Sequence, residues 1–136
     1  MISEEQIENQ SERGNQYANI GDWTSAKRTW ENIIEKLKKP AREHSAYSWL
    51  MASIGDANFH LEKFAEALTC FYEAEATADE PGNPFISLRM GQCYLRLGQE
   101  DVAVDYLLRA YMSEGVEVFN EDGPQYLKFL HSRVEL

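Results

Sequence analysis

Histidine, cysteine and carboxylate side chains could carry catalysis or bind a metal, but in this sequence they are scattered. His44, His60 and His131 are far apart, and no two of them have the spacing of four residues that brings a helical pair to one metal. Cys70 and Cys93 do not form a Cys-x-x-Cys motif. The sequence also contains no Gly-rich phosphate loop and no nucleophile motif. We therefore predict a protein that is not an enzyme and that uses no cofactor or metal.

The composition is typical of one acidic globular domain. The chain has 136 residues, of which 43% are hydrophobic, enough for one sizeable core. With 13 basic and 23 acidic side chains, the net charge is −10. Such a surface repels phosphate backbones and anionic lipids, so neither nucleic acid nor membrane is expected as a partner. Unpaired cysteines, an acidic start and the lack of a long apolar run predict a cytoplasmic location.

One segment departs from this acidic character. Residues 27–42 hold 6 of the 13 cations: Lys27, Arg28, Lys36, Lys38, Lys39 and Arg42. Lysines near the end of a helix favour its negative pole, so a solvated helix face is the expected explanation. A docking patch for an acidic partner is the alternative.

An internal repeat predicts the secondary-structure elements that position the side chains of this sequence. Gly14, Gly55 and Gly91 are separated by 41 and then 36 residues. The same offsets align Ala26 with Ala67 and Ala103, and Trp30 with Phe71 and Leu107, so that these columns keep their size class. They also align Ile33 with Ala74 and Ala110, a column that stays apolar. Tyr17 aligns with Asn58 and Tyr94. Three copies of one structural unit are therefore expected.

Each copy is predicted to be two helices joined by a tight turn, because apolar residues recur every three or four positions. Gly21 and Asp22 are expected to end one helix and cap the next, and Pro40 and Pro81 to close the second helices. Ser3 is expected to open the first helix through a capping box. A glycine facing an alanine lets two helices approach closely, and the neighbouring large side chain then fills the space beside them.

A single pair of helices cannot bury its own apolar face, so the copies must stack. The predicted fold is all-α, an antiparallel helical-hairpin solenoid of about seven helices in one domain over residues 1–136. The repeats are expected at about 6–40, 46–81 and 83–114. An acidic turn at 120–124 should follow, and then a capping helix at about 124–134 that opens with Pro124.

The repeated pattern resembles the tetratricopeptide repeat over roughly residues 6–114. The first copy carries the resemblance in Gly14, Tyr17, Gly21, Trp23, Ala26, Trp30, Ile33 and Pro40; the second in Gly55, Phe64, Ala67, Phe71, Ala74 and Pro81; the third in Gly91, Tyr94, Leu97, Gly98, Ala103, Leu107 and Ala110. The family period is about 34 residues, so extra residues near 38–46 and 79–84 should lengthen a helix or a loop. The resemblance implies a right-handed superhelix whose first helices line a concave groove for a protein partner.

Position by position, the resemblance implies that the groove is lined by ten residues: Asn15, Asn19, Trp49, Asp56, Phe59, His60, Phe85, Arg89, Gln92 and Arg96. Large aromatics beside polar groups are typical of binding surfaces. For the three aromatic residues Trp49, Phe59 and Phe85, a place in the core between repeats is an equally good interpretation. Some family members clamp a C-terminal carboxylate, but only Asn15 and Arg89 match that clamp.

Two binding functions remain open. The first is an immunity protein that neutralises a secreted toxin, where negative charge would steer the chain onto a basic partner with strong salt dependence. The alternative is a secretion-type chaperone or adaptor that holds an extended peptide. Anchoring of that peptide on Phe59 and Phe85 would give weak salt dependence.

Overall fold

The chain folds into pairs of antiparallel helices. The computed structural model describes residues 1–120 and 123–136, and within them it forms seven α-helices, two short 3-10 helices and no strand. The α-helices are α1 (Glu4–Asn19), α2 (Trp23–Lys36), α3 (Tyr47–His60), α4 (Phe64–Thr77), α5 (Pro84–Arg96), α6 (Glu100–Glu114) and α7 (Pro124–Arg133). The predicted all-α helical-hairpin solenoid is confirmed.

The residues form two compact units, Met1–Asp79 and Glu80–Leu136, which we call unit 1 and unit 2. Unit 1 contains α1 to α4, and unit 2 contains α5 to α7. No helix of the described residues is both long enough and apolar enough to cross a membrane. That all 136 residues form one domain stays a prediction.

Local sequence signals set the start of the helices. The Ser3 backbone N–H donates to Gln6 Oε1 at 2.9 Å, and the Gln6 N–H donates to Ser3 Oγ at 3.2 Å, which completes the predicted capping box. Gly21 has a φ of 80°, a left-handed conformation that glycine adopts freely. Asp22 then caps α2 by accepting from the Ser25 N–H at 3.1 Å, and hydrogen bonding from Ser25 lowers the pKa of Asp22.

The predicted role of the two prolines in closing the second helices is wrong. α2 ends at Lys36 and α4 at Thr77, four residues before Pro40 and Pro81 respectively. At the residue after each helix, Leu37 and Ala78, the backbone is already extended. The extra residues at the first junction form the 3-10 helix Ala41–Glu43, and those at the second form a loop.

The two helices of each pair approach closely, but each glycine lies against the large side chain of the second helix and not, as predicted, against the aligned alanine. A Cβ placed on Gly55 would lie 2.8 Å from Phe71 Cε1, and one on Gly91 would lie 2.6 Å from Leu107 Cδ2. Gly14 lies under the indole of Trp30 in the same way. The aligned alanines Ala26, Ala67 and Ala103 are all fully buried. The glycine column therefore makes room for the large side chain of the second helix, and the alanine column lies in the core.

In unit 2 the last helix covers the third pair. α7 begins at Pro124 as predicted, and its Tyr126 and Leu130 pack in a core with Leu107 and Phe119. Phe119 belongs to the second 3-10 helix, Gly115–Phe119. Residues 121 and 122 of the predicted acidic turn lie outside the described residues.

Candidate partner-binding surfaces

The first helices of unit 1 carry six of the residues predicted to bind a partner. On α1, Asn15 and Asn19 are exposed, and Asn15 Nδ2 donates to Glu12 Oε2 at 3.3 Å. Trp49, in the first turn of α3, has 45% of its surface exposed. This large apolar side chain is therefore accessible, which favours its interpretation as a surface anchor over one as inter-repeat core.

The other three residues lie at the C-terminal end of α3, in a cluster that also contains Trp23 and Phe64. His60 stacks on Trp23 with ring centroids 4.0 Å apart and planes inclined by 7°. Phe59 meets His60 and Phe64 edge to face, at 5.4 and 5.8 Å. Asp56 Oδ1 lies 3.5 Å from His60 Nε2, and their side chains are 22% and 28% exposed. One face of the His60 ring is thus covered by the indole of Trp23. No local sequence pattern indicates this contact between α2 and α3.

In unit 2 the predicted residues divide between the surface and the interior. Phe85 is 39% exposed and Arg96 is exposed. Arg89 and Gln92 are only 2% and 0% exposed, so their predicted place on the surface is corrected. Arg89 Nη1 donates to Gln92 Oε1 at 2.9 Å, and the guanidinium carbon lies 4.8 Å from the centre of the Phe85 ring. The hydrogen bond to Gln92 and the contact with the Phe85 ring compensate the buried charge of Arg89. The contact with Arg89 also positions Phe85.

A charged hydrogen-bond cluster that the sequence analysis missed joins the first junction to α4. Arg42 Nη2 and Nε donate to the two oxygens of Glu73 at 2.8 and 3.0 Å, and the Tyr47 hydroxyl donates to Glu73 Oε2 at 2.8 Å. The Arg42 and Tyr47 hydrogen bonds lower the pKa of Glu73. Burial, and then the bond to Glu73, raise the pKa of Tyr47 to about 12. Arg42 therefore belongs to this cluster and not to a helix face of cations.

The described residues bring no three histidine, cysteine or carboxylate groups together in a way that could hold a metal ion. Cys93 is fully buried, and Cys70 is 9% exposed. Desolvation by burial raises the pKa of the Cys70 thiol. A raised thiol pKa disfavours the reactive thiolate.

Comparison with known proteins agrees with the paired helices of the fold. The tetratricopeptide repeat family model matches residues 87–111, from α5 into α6, and the other two helical pairs show the same packing of a glycine under a large side chain. Residues 87–111 thus match one tetratricopeptide repeat, and the whole chain has the helical-hairpin fold of tetratricopeptide-repeat proteins. It has no significant match among curated protein sequences.

Solved structures that share the fold of this chain include two of PcrH and one of MamA. Crystal structures of PcrH in complex with the chaperone binding regions of PopB and PopD superpose with TM-scores of 0.69 and 0.70, at 15% and 17% identity. Both matches cover 96% of this chain, with 94% and 87% of the PcrH chains. The crystal structure of MamA gives a TM-score of 0.69 at 15% identity, over 92% of this chain and 74% of MamA. At these identities the likeness shows the fold alone.

Proposed function

We propose that the protein is a non-catalytic chaperone or adaptor that holds an extended segment of a partner protein on the exposed faces of its first helices. The observation that carries the proposal is the likeness to PcrH, whose two similar structures each contain the chaperone binding region of another protein. The comparisons therefore favour this function over that of an immunity protein.

The exposed side chains of the first helices have the chemistry that such binding requires. Trp49 in unit 1 and Phe85 in unit 2 are large, accessible aromatics on otherwise polar helix faces. Aromatic side chains of this kind supply most of the binding energy at interfaces. The amides of Asn15 and Asn19 carry both donors and acceptors, as needed to pair with an extended peptide backbone.

The net charge of −10 is the one observation that favours the immunity-protein alternative. A basic folded partner would be steered onto such a surface, and its association would weaken steeply as salt is added. A peptide anchored by aromatic side chains would lose little affinity under the same conditions. Salt dependence therefore distinguishes the two functions once a partner is available.

The first experiment is to isolate the partner from the source cell with the full chain and to map the segment protected from proteolysis. Affinity for that segment is then measured for Trp49→Ala and for Tyr72→Ala. Tyr72 is a matched control because it is 47% exposed but lies on α4, a second helix. We expect about a 30-fold loss of affinity for Trp49→Ala and little change for Tyr72→Ala. Equal effects of the two substitutions, or a folded basic partner with steep salt dependence, would contradict the proposal.

A further inference from the structure

A cleft of about 460 Å³ opens in unit 1 between α2 and α4. Its floor is formed by Met51, Ile54 and Asn58 of α3, which are three, four and seven positions apart and therefore share one face of the helix. Asp56 and His60 lie on the opposite face of α3. The cleft is consequently separate from the surface proposed to bind a partner, and its volume is in the range of small-molecule sites.

The floor of the cleft contains an unsatisfied polar group. Asn58 is only 2% exposed, and its Nδ2 donates to Cys70 Sγ at 3.6 Å. Its carbonyl oxygen Oδ1 has no hydrogen-bond partner among the described residues. A buried acceptor without a donor is destabilising, so a ligand that brings a donor to Asn58 Oδ1 gains a hydrogen bond there.

The alignment of the three copies shows which side chains the other copies carry at the two positions of Asn58 and Cys70. The offsets that align the glycines place Asn58 with Tyr17 and Tyr94, and Cys70 with Thr29 and Tyr106. In the third copy the two tyrosines stack on each other with centroids 5.6 Å apart. The second copy has an amide and a thiol in place of these two phenol rings, and both small side chains line the cleft.

We propose that this cleft binds a phenol, either uncharged or carrying a positive charge. Its ring packs against Ile34, Met51 and Ile54, and a methionine sulfur is a favourable neighbour of an aromatic ring. Its hydroxyl donates to Asn58 Oδ1.

The charge of the ligand is limited by the rim of the cleft. The carboxylates of Glu31, Glu35 and Glu66 line it together with one cation, Lys27. This excess of negative charge disfavours an anionic phenol and favours an ammonium group beside the ring.

The test is a titration of the full chain, followed by nuclear magnetic resonance, with four probes: p-cresol, toluene, tyramine and 4-hydroxyphenylacetate. Toluene is the more apolar of the first pair, so burial alone would make it the tighter ligand. We expect p-cresol to bind at least about threefold more tightly than toluene, because of the hydrogen bond to Asn58. Tyramine should bind most tightly and 4-hydroxyphenylacetate most weakly, with shifts centred on Met51 and Ile54. Tighter binding of toluene, or shifts elsewhere, would overturn the proposal.

Two variants of Asn58 test the assignment. Asn58→Tyr restores the residue of the flanking copies and should abolish binding of every probe. Asn58→Leu keeps the approximate shape but removes the acceptor, so the preference for p-cresol over toluene should disappear while toluene still binds. Asn9→Leu, at an exposed position of α1, is the control and should keep the preference. Thermal unfolding verifies that each variant folds. If Asn58→Tyr does not fold, the result for Asn58→Leu decides whether Asn58 is assigned correctly. An unchanged preference in Asn58→Leu would refute the proposal.

A blocked Lys-Tyr dipeptide identifies the source of the phenol. Binding within about tenfold of tyramine supports a tyrosine side chain of a polypeptide. Binding of tyramine without binding of the dipeptide supports a free small molecule. Both results support a phenol site, and failure of all phenols rejects it. None of these outcomes depends on the first-helix surface, so the cleft and the proposed chaperone function can fail independently.

Discussion

Phe71 lies directly over Gly55, so that a Cβ on the glycine would be 2.8 Å from Phe71 Cε1. The same relationship joins Gly14 to Trp30 and Gly91 to Leu107, in each case sixteen residues further along the chain. The large side chain of the second helix closes against the bare backbone of the first. Each pair is thus fixed by one steric match that occurs in all three copies.

Gly55→Ala tests this match. Alanine favours a helix over glycine by up to about 1 kcal/mol, but its methyl group would displace Phe71 from a packed position. We expect a net loss of about 1–3 kcal/mol in the free energy of unfolding, measured by chemical denaturation. Gln16→Ala, at an exposed helical position, should change the value by less than about 0.5 kcal/mol. A Gly55→Ala protein as stable as the parent would show that the close contact is absent.

The alanine column gives a second test of the same packing. Ala67 and Ala103 are fully buried, so substitution of either by leucine should overpack its helical pair and cost about 1–3 kcal/mol. Ala65→Leu is the matched control, because Ala65 is exposed on the same helix as Ala67. If all three variants melt at the temperature of the parent, the register of the repeat is wrong.

The aligned glycine and alanine positions could be predicted from the sequence, because side-chain size determines how closely two helices approach. The burial of Arg89 and Gln92 could not be predicted in this way, since it depends on a pairing that the helical period does not reveal. The stack of His60 on Trp23 joins residues 37 positions apart, from α3 and α2. The ends of α2 and α4 were misplaced because a proline marks where a helix cannot continue, whereas the actual end can come earlier.

Glu73 should make stability depend on pH in the acid range. Arg42 and Tyr47 lower its pKa below the ordinary value of 4.5, so the folded state favours the carboxylate. The stabilisation is therefore present above pH 4.5 and is lost as the pH falls through the lower folded-state pKa. Because the side chain is 29% exposed, we expect at most about 1 kcal/mol.

The measurement compares the unfolding free energy of the parent with that of Glu73→Gln as the pH is lowered. Their difference should be largest near neutrality and should shrink below pH 4.5. Gln16→Ala, at an exposed position of α1, removes no ionisable group and is the control, whose difference from the parent should be the same at every pH. A difference between parent and Glu73→Gln that grows in acid would contradict the assignment.

Tyr47 should make stability depend on pH in the alkaline range. Its pKa is raised from 10.0 to about 12, so folding favours the neutral phenol. The corresponding stabilisation is complete below pH 10 and is lost as the pH rises through 12. Tyr47→Phe cannot ionise, so the parent should lose stability relative to this variant across that interval. Ultraviolet titration of the folded parent should show a late-ionising phenol that is missing in Tyr47→Phe.

The contact of the last helix with the third pair can be tested at Leu130. This residue is fully buried in the core that it shares with Leu107 and Phe119. Leu130→Ala should therefore cost about 2–5 kcal/mol, through the lost apolar contact and the cavity left behind. Lys128→Ala, at an exposed position of the same helix, should be nearly neutral. Because α7 covers the apolar core of the third pair, Leu130→Ala should also bind more of a dye specific for exposed apolar surface. Equal stability and equal dye binding of the two variants would mean that α7 does not cap the third pair.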